Sequence, residues 1–198
     1  MSINSSINSS TVSSTTSYKD SFMQDSMLMI CYKLYKRLHV VCTEPQKELN
    51  CLRGFEFSMK DNNIKDNNIK YIDIIDIKFR VAKVTPVKVG YFVTLWKYKD
   101  GHTTPYDFDD SFDLYIICIE DGDLLGQFVF SREVLSHQGI ISKHQRGGKR
   151  GFRLYAPWNI ADSKQAIKTQ EWQSNYFINL TNRKSIDLDR ARRLYNLS

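Results

Sequence analysis

The chain has 198 residues and a formal net charge of +6. It contains no run approaching the ~18 consecutive apolar residues that a membrane-spanning helix requires. Residues 1–131 carry 15 Lys and Arg against 17 Asp and Glu, whereas residues 132–198 carry 13 against 5. The positive charge therefore belongs to the last third, which points to an anionic partner such as nucleic acid or a phosphorylated ligand; the alternative is an excess that serves only solubility.

Thirteen of the first twenty residues are Ser, Thr or Asn. Such a stretch buries too little to offset its ordering entropy, so residues 1–20 are expected to be a disordered tail and 21–198 a single domain. Residues 22–39 have apolar side chains at helical spacing (Met27, Ile30, Leu34 and Leu38) and predict a helix. Residues 54–57 and 71–81 read as strands, and a break in alternation at Ile74-Ile75 predicts a bulge or two strands. Between them, residues 61–70 duplicate Asp-Asn-Asn-Ile-Lys, a polar surface loop. A strand is predicted over 91–99, followed by a turn over 100–105 that opens on Asp100-Gly101. Strands over 114–120 and 124–130 flank the hairpin signal Glu120-Asp121-Gly122-Asp123. Then come a short helix or turn over 132–139, a strand over 152–155, and helices over 161–180 and 185–197. In the first of these helices Trp172, Tyr176 and Leu180 share a face; in the second, Asp189 can reach Arg193. The layout is α+β: a mixed or antiparallel central sheet flanked by helices.

The four cysteines (Cys31, Cys42, Cys51 and Cys118) and four histidines lack the paired spacing of a zinc site. No basic segment followed by an apolar run marks a secretory leader. The expectation is an intracellular, cytoplasmic protein with reduced thiols, no membrane partner and no resident cofactor.

Residues 145–153, Gln-Arg-Gly-Gly-Lys-Arg-Gly-Phe-Arg, are the strongest single feature. Glycines let a loop approach a backbone closely, and Arg146, Lys149, Arg150 and Arg153 supply phosphate contacts. The spacing is not that of a Walker A loop, and an inert basic hairpin has the same composition. Lys164 and Lys168 share a helical face that extends the patch; Thr169 and Gln173 lie further round. Lys83, Thr85 and Lys88 form a second phosphate-gripping set near a strand end, or else a solvated Thr-Pro terminus. Phe152, Tyr155 and Trp158 are candidates for stacking on bases or for the core. Asp107, Asp109, Asp110, Asp113 and Glu120 form an acidic series. Asp110 or Asp113, with Glu120 and Lys97 or Lys83, has the group types of a Mg²⁺-dependent nuclease, the one reading that needs a metal. Asp-rich turns equally cap strands, and His137 and His144 read as acid–base groups or surface residues.

Four segments resemble the MepB-like family: Arg80 to Gly90 running into Phe92–Lys97; Pro105-Tyr106-Asp107 with Asp109, Asp110 and Asp113; Gly126 to Phe130 with Leu135, Gly139, Ile140 and Ser142; and Gly148 to Arg153 with Pro157-Trp158, Gln165-Ala166 and Lys168 to Gln173. The resemblance implies a compact intracellular protein with a fold similar to restriction-endonuclease-like nucleases, and it implies nucleic acid as partner.

Overall fold

The computed structural model describes residues 39–42, 54–61 and 73–195. The tail over 1–20 lies outside the described residues. Of the helix expected over 22–39 only His39 is described, and it opens a strand; of the 61–70 duplication only Asp61 is described. The strands are β1 (His39–Cys42), β2 (Gly54–Asp61), β3 (Asp73–Val81), β4 (Lys83–Val84), β5 (Tyr91–Thr94), β6 (Lys97–Lys99), β7 (His102–Thr104), β8 (Leu114–Asp121), β9 (Leu124–Ser131), β10 (Gly151–Leu154) and β11 (Phe177–Asn179). The helices are α1 (Arg132–His137), α2 (Lys164–Ser174) and α3 (Leu188–Leu194).

Six strands make the main sheet in the order β1-β2-β3-β8-β9-β11, with β10-β5-β4 as a second sheet and β6-β7 as a ribbon. β3 and β8 are parallel, while the other neighbours in the main sheet are antiparallel. The fold is therefore α+β with a mixed sheet. Among the described residues no helix is long and apolar enough to cross a membrane.

The position of β8 follows from its sequence. Leu114 to Ile119 is an unbroken apolar run and every member is buried, as expected of a strand covered on both faces. Leu114, Ile116 and Cys118 face one core with Ile77, Phe79, Val129 and Ile178, closed by Leu180, Ile186, Ala191 and Tyr195. Tyr115, Ile117 and Ile119 face the other with Phe128 and Phe130, closed by Tyr91, Val93 and Leu95 and by Leu135, Ile140 and Ile141. Two-sided burial also accounts for β3. It pairs with β2 without interruption from Gly54↔Arg80 to Asp61↔Asp73, so neither a bulge nor a second strand occurs at Ile74-Ile75. Two of its polar positions are buried as well. Lys78 is 8% exposed with Nζ 4.9 Å from the Tyr106 ring, and Arg80 is 5% exposed beside Tyr115.

Three expectations are corrected. The single strand over 91–99 divides at the fully buried Leu95: β5 joins β10, and β6 folds onto β7. Residues 100–105 are thus part turn and part strand, since Asp100 (φ 51°) and Gly101 (φ 80°) form the two-residue turn of that ribbon. The helix over 161–180 is shorter. Ser163 caps it by accepting from the Ala166 N–H (3.2 Å), α2 ends at Ser174, and β11 follows. Phe177 and Ile178 lie in opposite cores, which a strand permits for adjacent residues and a helix does not. Gly126 makes the pairing of β11 with β9 possible, because a Cβ there would lie 2.1 Å from Phe177 Cζ. At the C-terminus, Asp187 caps α3 through the Arg190 N–H, and Asp189 pairs with Arg192 at 3.2 Å.

Candidate nucleic-acid interface

The basic loop is held by an acid. Lys143 and Arg146 exchange backbone hydrogen bonds at 3.1 Å across His144 (φ 51°) and Gln145 (φ 61°). The Asp107 carboxylate sits beneath this turn. Its Oδ2 accepts from the Ser142 hydroxyl and from the Gln145 N–H (2.7 Å), and its Oδ1 accepts from the Asp109 N–H (3.2 Å). These donors, the Ser142 hydroxyl foremost, lower its pKa from 3.8 to about 2 against the opposing effect of burial. Gly148 has φ 80°, and a Cβ there would stand 2.7 Å from the Ser142 nitrogen, so the loop closes only with glycine. The Lys149 N–H then donates to the Ile140 carbonyl (2.8 Å), and the chain enters β10.

Arg146, Lys149 and Arg150 project from this loop, all exposed. Arg150 Nε donates to the Thr103 carbonyl on β7 (2.8 Å). Arg153 is half-buried and differently employed: its guanidinium donates to Thr85 Oγ1 (2.7 Å) and to the Val89 carbonyl (3.1 Å). Thr85 donates in turn to the Lys88 carbonyl (2.7 Å). Thr85 and Arg153 thus tie the 85–90 loop to β10, while Lys83 and Lys88 remain exposed.

The second sheet adds a residue that the sequence reading passed over. Phe92 is the cross-strand neighbour of both Lys83 and Arg153. With Tyr91 and Val93 turned into the core, Phe92 points outward and is 37% exposed. An exposed aromatic ring therefore lies between two cationic residues. Its signal was the strand alternation within Tyr-Phe-Val-Thr.

Between β10 and α2 lies a cleft of about 390 Å³, with Lys149, Tyr155, Gln165, Thr169, Trp172 and Gln173 among its lining. Gln173 is fully buried and completes the edge of β10: Nε2 donates to the Arg153 carbonyl (3.0 Å), and Oε1 accepts from the Tyr155 N–H (2.8 Å). The wall on α2 is thus the Thr169–Gln173 face. At about 100° per residue, Lys168 falls on its flank and Lys164 further away. Phe152 and Trp158 are not stacking groups here. Phe152 is buried, and Trp158 packs edge-on against Phe177 while donating from Nε1 to the Tyr91 hydroxyl (2.8 Å). That hydroxyl donates to Asp121 (2.8 Å), and burial pushes the Tyr91 pKa upward.

Of the acidic candidates, Asp110 is brought to Lys97, while Glu120 is set apart from Asp113. Asp110 is bound by Lys97 and accepts from the Asp107 N–H (2.7 Å); Asp113 accepts from the Asp76 N–H (2.8 Å). Glu120 lies seven residues beyond Asp113 along β8, roughly 23 Å away, too far to share a metal. Among the described residues no group of three or more His, Cys, Asp or Glu is placed to hold a metal ion. His144 lies 3.9 Å from Asp109, and both are exposed.

The chain is similar to known proteins in sequence and fold. The family model described as MepB-like matches residues 60–179. A solved structure titled "Crystal Structure of MepB" is 31% identical, with a TM-score of 0.61, covering 78% of this chain and 95% of its own. No curated protein matches the chain.

Proposed function

The chain belongs to the MepB-like family, and on that premise we propose that it binds nucleic acid through the basic loop, β10 and the outer face of the second sheet. One observation carries the reading: Arg146, Lys149, Arg150, Lys164 and Lys168 make no ion pair among the described residues, and the first three lie on the loop that leads into β10. Cations without carboxylate partners are what phosphate contacts require, since each displaces condensed counterions rather than breaking an existing pair. Lys83 and Phe92 extend the same surface with a second cation and a ring for stacking. Arg153 and Thr85 act by positioning, because their polar groups already hold the 85–90 loop.

The test is fluorescence anisotropy with labelled single- and double-stranded oligonucleotides across a salt series, with Mg²⁺ present and absent and each endpoint run on a denaturing gel. Wild-type binding falls steeply with salt and leaves the oligonucleotide intact. The double charge reversal K149E/R150E weakens low-salt binding by about tenfold or more and lowers the salt slope by roughly one for each phosphate no longer engaged. Unchanged affinity and slope in that variant would remove the loop from the interface, and Mg²⁺-dependent shortening would replace simple binding with cleavage.

A further inference from the structure

We propose that the cleft between β10 and α2 receives one unpaired nucleobase, so that the chain selects single strands over duplex. The proposal rests on the nucleic-acid reading and adds to it the part of the ligand that is not phosphate.

The floor of the cleft is the edge of β10. The Leu95 N–H donates to the Arg150 carbonyl, which sets the phase of the β10–β5 ladder. Phe152 and Leu154 then bond towards β5, and Gly151 and Arg153 turn their peptide groups the other way, into the cleft. The Arg153 carbonyl agrees with this phase, because Gln173 reaches it from α2. Among the described residues Gln173 bonds the Arg153 carbonyl and the Tyr155 N–H but not the peptide N–H groups of Gly151 and Arg153, which face the cleft as donors.

The walls suit a base better than a bare anion. Tyr155 and Trp172 line the cleft and are half-buried; Gln165 brings an amide from α2, and Thr169 a hydroxyl that donates to the Gln165 carbonyl (2.8 Å) and is left as an acceptor. Flat aromatic surface with a few donors and acceptors is how proteins hold unstacked bases. The volume, about 390 Å³, is at the small end of the roughly 300–1,000 Å³ usual for ligand sites. It also suits one unit of a chain whose neighbours remain outside. Lys149 stands in the lining beside Arg146 and Arg150, so the backbone of such a strand would run along the basic loop. A duplex does not fit this arrangement. Its base edges are read by convex elements entering a groove, whereas a concave site requires the base to leave the stack.

The experiment compares a labelled oligothymidine strand, an abasic strand of equal length and charge, and a duplex of that length, all at one salt concentration. The wild type binds oligothymidine at least about tenfold more tightly than the abasic strand, and more tightly than the duplex. Thr169→Trp, which fills the cleft, brings oligothymidine down to the abasic affinity while leaving the salt slope unchanged. Gln165→Ala, at an exposed helix position, reduces the preference by a smaller factor and serves should the first variant fail to fold by circular dichroism. Equal wild-type affinity for oligothymidine and the abasic strand overturns the base site yet leaves phosphate-directed binding intact. Failure to bind any of the three overturns both.

Discussion

Asp107 belongs to an acidic series that reads as a metal site, yet its carboxylate is spent on three protein donors. Asp107→Ala leaves the Asp109 and Gln145 N–H groups without their acceptor and the Ser142 hydroxyl with only the Tyr106 carbonyl (3.2 Å). It is expected to cost about 2–3 kcal/mol in urea unfolding and to loosen the basic loop with it. The pH dependence has a definite sign. The folded pKa, about 2, lies below the ordinary 3.8, so the ionised group contributes its stability fully above the ordinary value. That contribution is lost as pH falls from about 4 towards 2. Urea midpoints at pH 6 and pH 3 should therefore differ more for the wild type than for Asp107→Ala. Gln173 makes the parallel case within the cleft wall. Gln173→Leu strands the Arg153 carbonyl and the Tyr155 N–H, at a cost of about 2–3 kcal/mol by the same measurement.

At the scale of elements, the second sheet separates stability from binding. Phe92 projects outward while Tyr91 and Val93 fill the core, so Phe92→Ala is expected to melt close to the wild type. It is also expected to lose about 1–3 kcal/mol of single-strand affinity by anisotropy. How far each element can be read from the sequence depends on whether its pattern answers to local chemistry or to a distant partner. The β8–β9 hairpin is legible because its turn and its apolar runs are local. β11 is not, because the spacing of Trp172, Tyr176 and Leu180 fits a helix equally well, and only pairing with β9 decides otherwise. The same division runs through the interface. Lys149 and Arg150 are evident from composition, and Phe92 was available from alternation. The Thr169–Gln173 wall depends on which face of α2 meets β10, which nothing in α2 itself encodes. Asp113 and Glu120 look like neighbours in the sequence because an extended strand hides its own length.

For the molecule as a whole, the two cores on either side of the main sheet are closed by different parts of the chain. One is sealed by the C-terminal segment, in which Ile186, Ala191 and Tyr195 are buried and Tyr195 donates to the buried Gln127. Burial of each large apolar side chain contributes about 1.5–3 kcal/mol, and a domain's net stability is only about 5–15 kcal/mol. Removal of residues 181–198 should therefore abolish the cooperative thermal transition seen by circular dichroism. A cooperative melt in the truncated chain would show that the sheet stands without this cover.

The parallel pairing of β3 with β8 also bears on synthesis. The connection between them carries the whole of β4 to β7, and the second sheet takes its remaining strand, β10, from beyond β9. On the ribosome, the hairpin of β8 and β9 is available early, but β5 has no β10 until the chain beyond residue 154 has emerged. The cleft waits longer still, for α2. Tyr91, Val93 and Leu95 must meanwhile remain without their final covering, so a stall between residues 131 and 151 would hold the nascent chain in its most aggregation-prone form.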